Sequence, residues 1–279
     1  MTDAVTVSFE SKCICYLSAI QKVNGEIRTR ASATGFFWRS ASIPYVITNR
    51  HCVTGKDHRN ILLPGAFEPS HLQIYLHEKG QKISPDVTMY NGKAIEVSLF
   101  EEGNPVWFEH PTGRLVDVVA IALDEPEALS VDCINDRKTY DSWNVEAGSD
   151  CLIVGFPEGL SGAEETPVWK RASVASEPNL NYKGLPVFLC DTATRRGLSG
   201  GPVFGRAIGF FDQLSKPIDP YGPGPQFFGH WPVFLGIYSG REGYEDDGFQ
   251  LGRVWKRSAL FEIIENRTRA ESPFVIYRD

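Results

Sequence analysis

Short apolar segments separated by turn residues are the feature that most restricts how this chain can fold. Residues 13–20, 45–48, 72–76 and 116–123 are apolar or alternating runs of strand length, and a helical period emerges only after Ser258. Asn24-Gly25 and Asn91-Gly92 are each predicted to form a hairpin turn. With 26 glycines, 18 prolines and 17 phenylalanines, the chain is predicted to form all-β units followed by a C-terminal helix capped by Ser258.

The strand pattern is interrupted once, and this interruption sets the predicted domain organisation. Residues 124–147 are acidic, lack a clear period and resemble a linker. We therefore expect an N-terminal unit at 1–130 and a C-terminal unit at 131–279. Residues 205–230 are rich in glycine, proline and aromatics and are predicted to be a long loop, either functional or a surface insertion that packs on itself.

Charge and cysteine usage exclude several classes of function. The net charge of −7 argues against nucleic-acid binding, which needs a basic face to displace counterions. An apolar run of about 18 residues, the minimum for a membrane span, does not occur, and the first residues lack the pattern of a secretory signal. The six cysteines show neither CxxC nor zinc-finger spacing, and the chain lacks an HExxH motif. We expect free thiols, a cytoplasmic location, and no metal or cofactor.

Three short segments carry the residue types that nucleophilic catalysis needs. The segment VITNRHC ends a strand and presents His51, LVDVVAIAL places Asp117 in an apolar strand, and RRGLSGGPV holds Ser199 in a glycine-rich turn. A serine hydroxyl needs an imidazole base, and a buried carboxylate fixes the tautomer of that imidazole. Each segment alone also fits a surface histidine, a structural carboxylate or an ordinary tight turn. Their joint presence favours catalysis.

Together these segments resemble trypsin/chymotrypsin-like serine peptidases, the class whose triad is the standard template for this chemistry. Among subfamilies, the spacing from Asp191 to Pro202 is most similar to bacterial HtrA/Do-like trypsin domains. The resemblance runs from about residue 13 to residue 265. It implies two antiparallel Greek-key six-stranded β-barrels with the active site between them.

The resemblance also implies a role for each site residue. His51 would be the general base and acid, Asp117 its orienting partner and Ser199 the nucleophile, while the N–H groups of Gly197 and Ser199 would form the oxyanion hole. The segment 236–240 would pair with the backbone of a polypeptide substrate. The substrate-binding residues implied are Ala193 and Thr194 in the primary pocket, Tyr238, Gly240 and Arg241 on its facing wall, and Ser239 beside the catalytic carboxylate.

The chain departs from that family pattern at informative positions. Leu198 stands where animal members carry the aspartate that pairs with a new N-terminus, so activation by that route is not expected. Cys52 lacks an evident partner, since Thr34 occupies the neighbourhood where secreted relatives place the second cysteine. We expect no PDZ domain after the peptidase unit. Arg195, Arg196 and Arg241 either favour an acidic substrate residue or face solvent.

Two alternatives to an active endopeptidase remain open from the sequence. The 205–230 segment could cover the cleft of a latent protease until a regulatory protein partner or a cleavage event releases it. The chain could also be a catalytically silent peptide-binding protein on the same scaffold.

Overall fold

The computed structural model describes residues 7–84, 87–123, 129–137, 145–193, 195–211, 227–243 and 250–271. Strands dominate these ranges, as the sequence pattern predicts. The strands are β1 (Ile14–Val23), β2 (Glu26–Ser40), β3 (Ile43–Thr48), β4 (His71–Ser84), β5 (Val87–Ser98), β6 (Phe100–Glu101), β7 (Asn104–Pro105), β8 (Trp107–Glu109), β9 (Val119–Ala122), β10 (Asp150–Gly155), β11 (Val168–Val174), β12 (Val187–Asp191), β13 (Pro202–Phe211), β14 (Phe227–Arg241), β15 (Leu251–Lys256) and β16 (Thr268–Arg269). The helices are α1 (Phe9–Lys12), α2 (Arg50–Thr54) and α3 (Arg257–Asn266).

The N-terminal unit is built on one antiparallel sheet. Its strand order is β16-β8-β9-β3-β2-β1-β4-β5. The hairpin predicted at Asn24-Gly25 is confirmed, because both residues have positive φ (53° and 83°) between β1 and β2. The prediction of a hairpin turn at Asn91-Gly92 is wrong. These residues lie inside β5, opposite Glu78 and His77 of β4, so the ladder passes through them.

The C-terminal unit is a closed antiparallel barrel. Its six strands follow the order β10-β11-β12-β15-β14-β13. The predicted double-barrel class is therefore confirmed, although the main N-terminal sheet has eight strands in the described residues rather than six. The long loop predicted at 205–230 is largely strand where the structure describes it, because β13 and β14 pair as far as Phe211 and Phe227. The rest of that segment lies outside the described residues.

A shared hydrophobic core joins the two units. Phe36 and Ile47 of the N-terminal sheet belong to the same buried cluster as Phe204 and Phe234 of the barrel. Helix α3 also packs into this cluster, through the buried residues Ala259, Leu260 and Ile263. It begins at Arg257 and its N-cap is Lys256, so Ser258 lies inside the first turn and the predicted serine cap is wrong.

The region predicted as a linker is described in part. Residues 129–137 pack on the N-terminal sheet, where the N–H of Arg39 donates to Asn135 Oδ1 at 2.8 Å. The predicted domain boundary at residue 130 remains a prediction. Within the described ranges, the structure contains no helix with the length and apolar character that crossing a membrane requires.

Candidate active site

His51 is presented by a single short helix at the end of β3. The strand ends at Thr48, and α2 follows after Asn49. The helix stops at Gly55, whose φ of 70° suits glycine and where a Cβ would lie 2.0 Å from the carbonyl oxygen of Phe67. This tight stop fixes His51 just beyond the end of β3, a central strand of the N-terminal sheet.

Asp117 is brought beside His51 by the pairing of β3 with β9. Thr48 lies opposite Val119 in that ladder, which places the residues before β9 next to α2. His51 Nδ1 lies 2.7 Å from Asp117 Oδ2, and the His51 N–H donates to Oδ1 at 2.9 Å. Asn49 Nδ2 also donates to the Asp117 carbonyl oxygen at 2.7 Å. The carboxylate therefore holds both the ring and the backbone of the histidine.

Ser239 completes the contacts of the carboxylate from the C-terminal barrel. Its Oγ donates to Asp117 Oδ2 at 2.7 Å. Burial acts to raise the pKa of Asp117, but the adjacent His51 and these hydrogen bonds outweigh it and lower the pKa below its ordinary value. For His51, burial acts to lower the pKa, but the charge of Asp117 and the hydrogen bond to it raise the pKa well above 6.5.

Ser199 lies in a turn whose flanking positions, Gly197 and Gly200, accept only glycine. Gly197 has φ +90°, and a Cβ there would lie 2.4 Å from the Phe156 carbonyl oxygen. Gly200 has φ +85°, and a Cβ there would lie 2.1 Å from the Thr34 carbonyl oxygen. Between them, Leu198 is fully buried in the barrel core. Leucine at this position therefore anchors the turn by packing, without an ion pair.

The N–H groups of Gly197 and Ser199 are free to donate hydrogen bonds in the described structure, as an oxyanion hole requires. Neither donates to an acceptor in the described part of the chain, whereas the next two N–H groups do. The Gly200 N–H donates to Tyr238 O at 2.9 Å and the Gly201 N–H to Leu198 O at 3.0 Å. Two free donors flanking a serine hydroxyl are available to an oxygen that becomes negative there.

His51 lies between two cavities. One, of about 290 Å³, is lined by Ser199, Gly197 and Cys52 as well as His51. The other, of about 340 Å³, is lined by His51 and Asp117 and continues towards the barrel. Ser199 and His51 thus share a cavity, although no hydrogen bond joins their side chains in the described structure. Such contacts often tighten only when substrate binds.

Thr34, which the resemblance places near the position of the second cysteine, does not direct its side chain towards Cys52. All six cysteines are free and buried. Cys52 shares a core cluster with Ala33, whereas the Thr34 side chain faces the Ser199 turn. Neighbouring residues of a strand point to opposite faces, which explains why Ala33 and not Thr34 lies towards Cys52.

The residues assigned to the substrate pocket differ in exposure. Ala193 is exposed, and Thr194 lies outside the described residues. Tyr238 is 1% exposed, and its ring contacts the position where Gly252 lacks a side chain. Gly240 has φ +90° with open space at its Cβ position, and Arg241 is half-buried. Their substrate contacts stay predictions.

Sequence reasoning missed other residues that line the second cavity. They come from distant parts of the chain and include Arg114, Tyr182, Lys183 and Trp255. No spacing in the sequence relates them, because the barrel ladder and the turn before β12 bring them together. In the described residues, histidine, cysteine and acidic side chains do not gather into a group that could hold a metal ion.

A family model matches this arrangement of residues. The comparison with curated proteins finds no match. The model described as "Trypsin-like peptidase domain" matches residues 33–209, which include His51, Asp117, Gly197 and Ser199. Since the match covers more than half of the chain, the protein belongs to the trypsin-like peptidase domain family.

Proposed function

We propose that the protein is a serine endopeptidase that cleaves polypeptides through an acyl-enzyme formed on Ser199. The observation that carries this proposal is the His51–Asp117 contact of 2.7 Å beside a cavity that also holds Ser199 and two unpaired N–H groups. A base, its orienting carboxylate, a nucleophile and oxyanion donors therefore meet at one place.

In the first half of the proposed reaction, Ser199 Oγ attacks the scissile carbonyl carbon while His51 Nε2 accepts the hydroxyl proton. The carbonyl oxygen becomes an anion that accepts hydrogen bonds from the N–H groups of Gly197 and Ser199. His51 then gives its proton to the leaving nitrogen, and the C–N bond breaks. The amine product leaves, and the acyl group remains as an ester on Ser199.

In the second half, water attacks the ester while His51 accepts a proton from it. The second tetrahedral intermediate collapses, Ser199 Oγ recovers the proton from His51, and the peptide leaves with a new carboxylic acid. Asp117 stabilises the imidazolium in both halves and keeps the proton of the neutral ring on Nδ1. Ser239 supports this role because its hydroxyl donates to the same carboxylate oxygen.

The polypeptide would bind in an extended conformation across His51. The two cavities on either side of this residue support such a path. Next to Ser239, Gly240 and Arg241 end strand β14, and an added peptide strand could pair with this backbone. The HtrA/Do-like resemblance rests on the spacing around Ser199, and we keep it as part of this proposal.

Replacement of the nucleophile tests the proposal. Ser199→Ala should abolish both hydrolysis of a casein or peptide-library substrate and covalent labelling by a fluorophosphonate. Ser258→Ala, which removes an exposed serine of α3, is the matched control and should keep both activities. If wild-type protein is not labelled, Ser199 is not a reactive nucleophile and the proposal of an active endopeptidase is wrong.

We also propose a cytoplasmic location. The support comes from the thiols, which are all unpaired and buried in the structure. Burial raises the pKa of Cys133, Cys151 and Cys190 to about 12, so these thiols stay protonated and unreactive. A chain that keeps six thiols in its core is suited to a reducing compartment.

A further inference from the structure

A third cavity lies outside the arrangement of His51, Asp117 and Ser199. It measures about 230 Å³, which is room for a single side chain. Three aromatic rings form its walls. The Tyr16 ring lies 5.5 Å from that of Tyr75 and 5.6 Å from that of Phe156, with interplanar angles of 46° and 74°. The three rings therefore lie at different angles around the cavity, and we call this set the aromatic cage.

A carboxylate without a partner lies at the cage. Glu165 lines the cavity and is exposed, and it forms no ion pair or hydrogen bond in the part of the chain that the structure describes. The loop that carries it is held in place, since His77 Nε2 lies 3.0 Å from the carbonyl oxygen of Glu164. Glu165 also lies against β5, because its Oε2 is 3.6 Å from the point that a Cβ at Gly92 would occupy.

Aromatic faces and a carboxylate together select a cation. The face of an aromatic ring attracts a positive charge within about 6 Å of its centroid, and a carboxylate adds a charge-assisted hydrogen bond. The chain already uses this interaction elsewhere, because Lys12 Nζ lies 4.1 Å from the centroid of Tyr90 and Arg137 lies 4.1 Å from that of Phe9. Among the cation–π contacts of the described residues, none involves a ring of the cage.

Arg30 does not supply the cation. Arg30 comes close enough to influence the pKa of Tyr16, but its guanidinium donates to Gln73 Oε1 at 3.2 Å. Gln73 also accepts from the Tyr75 hydroxyl. Among the described residues, no lysine or arginine pairs with Glu165 or lies over a ring of the cage, so both can receive a group from outside the chain.

The cage lies directly beside the turn that carries Ser199. The Glu158 N–H donates to the Arg196 carbonyl oxygen at 2.7 Å, and the Phe156 carbonyl oxygen packs against Gly197. Phe156 and Gly159 both line the cage. A polypeptide bound at Ser199 can therefore place a side chain here.

We propose that the aromatic cage binds an arginine or lysine side chain of the polypeptide substrate. This inference rests on the proposed function for the source of the side chain. The cage and Glu165 supply the affinity, and the short connection to Gly197 places the occupant close to the scissile bond.

Direct binding by a non-cleaving protein tests the proposal. Calorimetry on Ser199→Ala would compare acetyl-Gly-Arg-Gly-amide with the same peptide carrying citrulline, the neutral analogue of arginine. We expect the arginine peptide to bind about tenfold more tightly, as the loss of one charge-assisted contact predicts. Glu165→Gln and Tyr75→Leu, each added to this protein, should remove the difference.

Two control variants keep the outcome interpretable. Tyr75→Phe preserves the ring and should preserve the selectivity for arginine, while Glu177→Gln changes another exposed glutamate and should have no effect. Equal binding of the two peptides, or selectivity that survives both Glu165→Gln and Tyr75→Leu, overturns the proposal. Ser199→Ala could bind the arginine peptide selectively while fluorophosphonate fails to label the wild-type protein. This result would support the cage and reject the peptidase function.

Discussion

Thr34 Oγ1 donates a hydrogen bond to the carbonyl oxygen of Gly197 at 2.7 Å, although the two residues lie 163 positions apart in the chain. Thr34 Oγ1 also accepts a hydrogen bond from the Phe156 N–H at 3.0 Å, and the Thr34 N–H donates to the Ser199 carbonyl oxygen at 2.9 Å. One fully buried threonine of β2 in the N-terminal sheet therefore holds the carbonyl groups of Gly197 and Ser199, the two residues whose N–H groups are the proposed oxyanion donors. The proposed oxyanion donors belong to one unit, but the other unit holds the carbonyl groups of the same residues.

Thr34→Val should weaken both catalysis and the fold. Valine has nearly the same shape but leaves the Phe156 N–H and the Gly197 oxygen without this partner, which costs about 1–3 kcal/mol when such groups are buried. With the turn less constrained, we expect kcat/KM for a peptide substrate to fall at least about tenfold. Thr29→Val, at an exposed site of β2, should change neither kcat/KM nor the urea midpoint. Unchanged kcat/KM in Thr34→Val would show that the hydrogen bond does not orient the oxyanion donors.

Gly197→Ala should inactivate the protein through a steric clash. A Cβ at this position would lie 2.4 Å from the Phe156 oxygen and 2.9 Å from the Glu158 nitrogen, so the turn must move. Because removal of one oxyanion donor typically reduces kcat by about 100-fold or more, we expect a loss of at least that size. Gly148→Ala is the control, since Gly148 has nearly the same φ (87°) with open space around it. Strain in φ alone would affect both variants equally, whereas a clash would affect only the first.

The elements that the sequence predicts well are those whose signals are local. The Asn24-Gly25 hairpin depends on two adjacent residues, and the predicted strands beside His51 and Ser199 form as β3 and β13. Asp117 lies just before β9, so its predicted position inside a strand is wrong. Asn91-Gly92 has the same local signal, but its two residues find partners on β4. The energy of a long ladder outweighs the preference of a dipeptide for a turn.

Other features were beyond prediction because they depend on contacts between distant residues. The buried position of Thr34 against the Ser199 turn follows from the packing of the two units, which no sequence period reports. The aromatic cage likewise draws Tyr16 from β1 and Glu165 from the loop before β11. The aromatic and acidic residues at these positions look ordinary in the sequence until the fold brings them together.

The acidic limb of the pH profile for hydrolysis should lie above the ordinary pKa range of histidine. His51 acts as a base only when neutral, and the Asp117 charge raises its pKa well above 6.5. As the pH falls through that raised pKa, the ring gains a proton and activity falls. In Asp117→Asn the charge is absent, so the acidic limb of kcat/KM should move to lower pH while the maximum rate drops about 10⁴-fold. A limb that stays in place would show that Asp117 does not set the pKa of His51.

Arg50→Met should destabilise the fold through the carboxylate that it leaves behind. Arg50 Nε lies 3.0 Å from Glu109 Oε1, both side chains are at most 10% exposed, and Trp107 Nε1 donates to the same oxygen at 3.0 Å. Removal of one partner of a buried ion pair typically costs about 3–5 kcal/mol, because the other charge stays buried. Arg171→Met breaks an exposed pair with Asp150 and should cost less than about 1 kcal/mol. Urea denaturation at neutral pH measures both free energies of unfolding. Equal losses in the two variants would mean that the pair beside His51 contributes no more than a surface contact.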